Sequence, residues 1–147
     1  MAGQHTDIGS IEIFNDQDSL YIVYLTDGGW TIKLTHLVVG QLSEIPINGG
    51  GNPKIGRFPY SEIHSPSTDT AVYSISLNDL NWGENDCLYV AAHAEAVMLN
   101  TNGHQIKAET AWGDGTRFVN MGSWAMYTEY CKQDCSREGF VNGFAEE

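Results

Sequence analysis

An imidazole and a carboxylate at His93-x-Glu95 share one face of any strand that carries them, about 6 to 7 Å apart at Cα, since strand side chains repeat every second residue. Such a pair can hold a metal or move a proton, and it can equally be a hydrogen-bonded structural pair. The zinc-deaminase use of His-x-Glu requires a Pro-Cys-x-x-Cys that this chain lacks. Glu109 lies beyond an Asn102-Gly103 turn. Pairing about that turn would bring Glu95 or a neighbour within cross-strand reach of Glu109, and two carboxylates about 5 to 9 Å apart can hydrolyse glycosides. No serine carries nucleophile-elbow glycines. Gly49-Gly50-Gly51 precedes Asn52-Pro53 and no helix, so it cannot cradle phosphate.

The other chemistry-bearing residues are cysteines, turn acids and tryptophans. Cys131-x3-Cys135 has no second pair at zinc-finger spacing. Cys87 opens one apolar segment and Cys131 closes another; if those segments pair, a Cys87–Cys131 disulfide is expected, with Cys135 left free or competing for the bridge. Calcium takes six to eight hard oxygens, and Asp16, Asp18 and Asp86 sit in the turns best suited to supply them, although no Asp-x-Asp-x-Asp-Gly loop exists and solvated turns explain the same residues. Trp82, beside Asn81 and Glu84, and Trp112, beside Asp114, fall in loop-like stretches. There an aromatic face can stack on a pyranose ring while the polar neighbours take its hydroxyls. Trp30 and Trp124 lie in apolar-patterned segments and read as core.

Seven Lys plus Arg against nineteen Asp plus Glu give a net charge of −12, so no basic stripe is available for a phosphate backbone and nucleic acid is excluded as a partner. The longest nearly apolar run, residues 88–99, falls short of the roughly 20 residues a bilayer demands, and it contains His93 and Glu95. Membrane insertion is not expected.

The elements that must position these residues are strands. Ile11 and Ile13 alternate with polar residues before an Asn15-Asp16-Gln17-Asp18 turn. Leu20, Ile22 and Tyr24 then oppose Tyr21, Val23 and Leu25, which suggests cover on both faces. Asp27-Gly28-Gly29 reads as a hairpin turn, and Ile32, Leu34 and His36 share one face of the next strand. The first forty residues thus predict an antiparallel meander. Residues 40–69 hold all four prolines and predict one long, ordered Ω-like loop pinned by Phe58-Pro59-Tyr60. Residues 70–77 resume alternation, residues 87–99 form the central strand, and residues 105–111 return antiparallel after the Asn102-Gly103 turn. Residues 123–131 fit strand period better than helix, given their aromatic enrichment. The sum is all-β: an antiparallel β-sandwich or jelly roll of seven to eight strands in one domain, residues 1–131, followed by a C-terminal tail, residues 132–147. Met1-Ala2-Gly3 leads into polar residues with no apolar core of a signal peptide, which reads as a mature domain behind a start methionine.

The blocks at residues 2–9 (AGQHTDIG), 15–16, 20–24, 29–30, 35–37, 51–60 (GNPKIGRFPY), 91–94 (AAHA) and 109–113 (ETAWG) resemble an uncharacterised β-rich module of large secreted or cell-surface bacterial proteins. The resemblance covers residues 2 to about 131 and implies an extracellular, non-enzymatic role. Together with the acidic balance and the loop aromatics, the expected function is binding or adhesion to a glycan or other surface polymer, with calcium as the cofactor to test. The alternative is a subunit of an extracellular fibre or layer that self-associates, residues 140–144 (FVNGF) adding to a neighbour's edge strand. A glycoside hydrolase built on Glu95 and Glu109 is the third reading.

Overall fold

The structure, a computed structural model, describes residues 7–134. Its nine strands are β1 (Gly9–Asn15), β2 (Ser19–Thr26), β3 (Trp30–Gly40), β4 (Tyr60–Ile63), β5 (Thr70–Ser76), β6 (Cys87–Leu99), β7 (Gln105–Trp112), β8 (Thr116–Arg117) and β9 (Met126–Cys131). They form two antiparallel sheets, β1-β2-β5 and β4-β3-β6-β9-β8, as expected of an all-β sandwich. The thirteen-residue β6 is the central strand. It pairs with β3 along one edge, while its other edge is shared by β9, over Cys87 to Val90, and β7, over His93 to Leu99.

The core follows from period 2. Leu20, Ile22 and Tyr24 of β2 pack across the sandwich against Ile32, Leu37 and Val39 of β3 and Leu88, Val90, Ala92 and Ala94 of β6, all buried. On the outer face of β2, Tyr21, Val23 and Leu25 are only half-buried, and the neighbouring Val72 is 56% exposed, so just one face of that strand is covered.

Two expectations about the first forty residues are corrected. Asp27-Gly28-Gly29 is no hairpin: Gly28 and Gly29 take left-handed φ of 63° and 88°, and the chain turns a corner from the small sheet into the large one. β2 therefore pairs with β5, not β3. In β3 a bulge between Ile32 and Leu34 adds one residue, exposed Lys33, against β6. That extra residue flips the alternation, so Thr35 points into the core, fully buried, while His36 joins the outer face half-buried.

The long excursion is ordered as expected and contributes more than a loop. Ile45 and Phe58 cover the outer face of the large sheet over Val38 and Ala91, and the excursion also supplies β4. Trp30 is core, but Trp124 is half-buried, with the Arg117 guanidinium 4.4 Å from its ring centre.

Cys87 and Cys131 face each other in register and are disulfide-bonded. Cys135 and residues 140–144 lie outside the described residues. The last turn of chain before them is held by Asn15, which is fully buried: its Oδ1 accepts from the Tyr130 hydroxyl and the Gln133 N–H, and its Nδ2 donates to the carbonyls of Asp16 and Gln133. Replacing Asn15 by Ala strands these partners beside buried apolar surface. Asn15→Ala is expected to lower unfolding free energy by about 2 to 3 kcal/mol, read from the urea midpoint.

Candidate functional site

The sandwich is incompletely filled. A cleft of 390 Å³ runs between the sheets where the free edge of β1 faces the β7 and β9 side of β6. The cause lies in the sequence: β6 offers Ala92 and Ala94 there and β7 offers Ala111, three methyls where sheets about 10 Å apart call for large side chains. Opposite stand Ile11, Ile13 and Tyr24, with Tyr130 of β9 at one end. Gly113 closes the β7 end, and its missing Cβ is what lets the chain pass Ile11, whose Cγ1 would lie 3.1 Å from a methyl there.

The walls are apolar and the rim is polar. Thr26 and Thr128 supply hydroxyls and Asp7 and Asp114 carboxylates, whereas the Ser10 and Glu129 side chains point to the outer faces of their sheets, where Glu129 accepts from the Tyr89 hydroxyl at 3.4 Å; among the described residues no Lys, Arg or His lines the cleft. The Tyr24 hydroxyl donates to the His36 carbonyl at 2.9 Å, and burial, reinforced by Tyr73, pushes its pKa well up, so it stays neutral.

Of the residues singled out from the sequence, Trp112 and Asp114 border this cleft. The Trp112 ring, however, packs on the outer face, 4.8 Å from His93 and edge-on to Phe58 and Phe118. Trp82, Asn81 and Glu84 lie elsewhere. Trp82 is half-buried against the core, donates Nε1 to the Leu77 carbonyl at 3.0 Å, and has the Lys132 ammonium 5.3 Å from its ring centre. Exposed Asn81 donates to Glu44 Oε2 at 2.6 Å, and Glu84 is exposed in a 3-10 turn. Tyr24 and Tyr130, the two tyrosines of the cleft, are not among the residues singled out; the signal for Tyr130 is the inward register of β9, where it pairs with Leu88.

The turn acids act locally. Asp16 Oδ1 accepts the backbone N–H groups of Asp18 and Ser19 at 2.8 and 2.7 Å, and Oδ2 accepts from the Tyr21 hydroxyl. The Asp18 N–H, then that of Ser19, hold its carboxyl below the ordinary carboxylate range. Asp86 takes a left-handed φ of 57° in its own turn. Among the described residues, the trio whose ligand atoms already converge is Cys87, Glu129 and Cys131, two of them spent on the disulfide; Asp16, Asp18 and Asp86 form no such trio.

Glu95 and Glu109 do not oppose each other. Both border a shallow groove beside Lys33, but Glu109 is the register partner of Ala96, whose methyl points inward, whereas Glu95 pairs with Thr110 on the outer face. The sheet lies between the two side chains, which removes the geometry on which a glycosidase reading rested. His93 and Glu95 share the outer face as expected. His93 is 3% exposed, and its Nδ1 faces Nδ1 of His36, its register partner on β3, at 3.4 Å. Burial, followed by the neighbouring His36, lowers the His93 pKa to about 4; burial also lowers that of His36, against a pull upward from Glu95.

Comparison with protein-family models, with curated proteins and with solved structures returns no match, so the likeness to surface-protein modules rests on its residue blocks alone.

Proposed function

We propose that this protein is an extracellular, non-enzymatic binding module that takes a neutral glycan, inserting one sugar unit into the cleft between its sheets. The observation that carries the reading is the alanine-floored cleft itself. As a closed dry void, 390 Å³ would cost on the order of 9 kcal/mol, comparable with the whole margin of a domain this size. Larger side chains at Ala92 or Ala94 would relieve that cost, so keeping the space open favours a ligand over stability. A pyranose matches the lining: its C–H face suits the alanines and Tyr130, and its hydroxyls suit Asp7, Asp114 and Thr128. Two carboxylates at the rim and a net charge of −12 select against sialylated, sulfated or phosphorylated ligands. The disulfide supports the extracellular setting, since such bridges persist in oxidising compartments. No helix among the described residues is long and apolar enough to cross a membrane.

A glycan array, followed by calorimetry with and without chelator to read calcium assistance, tests the proposal. Ala94→Leu is expected to raise the melting temperature by a few degrees while weakening glycan binding at least tenfold, and Ala92→Leu to do likewise. Unchanged affinity in both variants rules out the cleft.

A second reading, a self-assembling subunit, draws on the open edge of β5, where Val72 is 56% exposed, and on β4, where Ile63 is 82% exposed. Light scattering of the full chain and of a chain ending at Cys131 decides it: monomers in both cases contradict assembly.

A further inference from the structure

On the outer face of the large sheet, away from the cleft, two imidazoles meet. His36 of β3 and His93 of β6 are register partners, their Nδ1 atoms 3.4 Å apart and their ring centres 5.4 Å apart, so both nitrogens lie on the facing edges of the rings. For either ring, the other imidazole is its one hydrogen-bonding contact among the described residues. As a hydrogen bond the spacing is long, since good N–H donors sit about 2.7 to 3.2 Å from their acceptors. As an edge of a coordination tetrahedron it fits: two nitrogens each about 2.05 Å from one ion at the tetrahedral angle stand roughly 3.3 to 3.4 Å apart.

We propose that His36 and His93 form a divalent transition-metal site of the zinc class, with Glu95 as the third ligand and the remaining position open to solvent. Glu95 shares their face, about 6 to 7 Å from His93 at Cα. Its half-buried carboxylate does not yet converge with both imidazoles, and a change of side-chain rotamer would bring it over the pair to complete the set. Entry is from the half-buried His36 side, because His93 is roofed by Trp112 at 4.8 Å. A set of two imidazoles and one carboxylate suits zinc or copper over calcium or magnesium. This differs from the calcium expectation in residues and in metal chemistry.

The probe is zinc chloride, with copper(II) as a second metal, added to the metal-free full chain with its disulfide intact. One zinc per chain is expected by calorimetry, with a higher melting temperature and with copper quenching the emission of Trp112 beside His93. His36→Ala, a half-buried and replaceable position, is expected to weaken zinc at least tenfold, Glu95→Gln by about tenfold, and His104→Ala, an exposed histidine on the β6–β7 turn, not at all. His93→Gln is expected to give the same loss. Absence of saturable zinc binding, or zinc binding retained in full by His36→Ala, overturns the site.

Discussion

Replacing Cys87 and Cys131 together by Ala is expected to lower unfolding free energy by about 4 kcal/mol. The bridge closes a segment of 44 residues, and the chain-entropy relation gives that figure at 25 °C. Structure around the bridge adds to the effect. β9 is paired to β6 over only four positions, Cys87 to Val90 against Cys131 to Thr128, and carries on its other side the two-residue β8. Without the bridge that strand depends on those pairs and on the Asn15 clamp, so loss of β9 would also open the Tyr130 end of the cleft. Urea denaturation of the double variant, and of the wild type with and without reductant, measures it. Equal midpoints contradict the account. Cys135→Ser should leave the midpoint where it is, because the bridge joins the other two cysteines.

The second large effect is on stability against pH. His93 titrates near 4 in the folded chain and near 6.5 when unfolded, so the unfolded chain binds the proton first as pH falls. Stability from this group is fully present above about 6.5 and is lost progressively down to about 4, a change of about 3 kcal/mol. His36, lowered in the same direction, adds to the slope in the same window, while Glu95 on the same face opposes it. Asp16, whose carboxyl is lowered from 3.8, contributes only below that window. Unfolding free energies measured from pH 7.5 to pH 4 in chelating buffer should fall most steeply between 6.5 and 4. His93→Phe, which suits the aromatic surroundings of Trp112, should flatten that fall. A wild-type curve level across the window contradicts the burial assigned to His93.

What the sequence made legible is what local periodicity encodes. Alternation from Leu20 to Tyr24 and along Cys87 to Leu99 marked the core strands, and the placing of Cys87 and Cys131 at strand ends marked the bridge. What it hid depended on single residues or on distant partners. A period-2 reading puts His36 with Ile32, whereas the bulged Lys33 turns His36 outward to meet His93, and no short-range pattern announces a bulge. Asp-Gly-Gly signalled a turn correctly but not whether the strands beyond it would pair, because that choice lies with β5, some forty residues on. Trp82 and Trp112 share loop-like settings in the sequence, yet one is tied to Leu77 and the other packs at a tilt against His93. The cleft was hidden for the same reason: an alanine run reads as close packing until the facing strand is known, and the facing β1 leaves the space open.

The most direct test of the binding assignment is an amide-resolved NMR titration with the neutral oligosaccharide that ranks first on the glycan array. Binding in the cleft predicts saturable shifts concentrated at Ile11, Ala92, Ala94 and Gly113, which surround it, with the Trp82 indole N–H unmoved and the shifts abolished in Ala94→Leu. An array without neutral-glycan hits, or shifts that gather at Asn81 and Trp82 and leave the cleft residues in place, would contradict it.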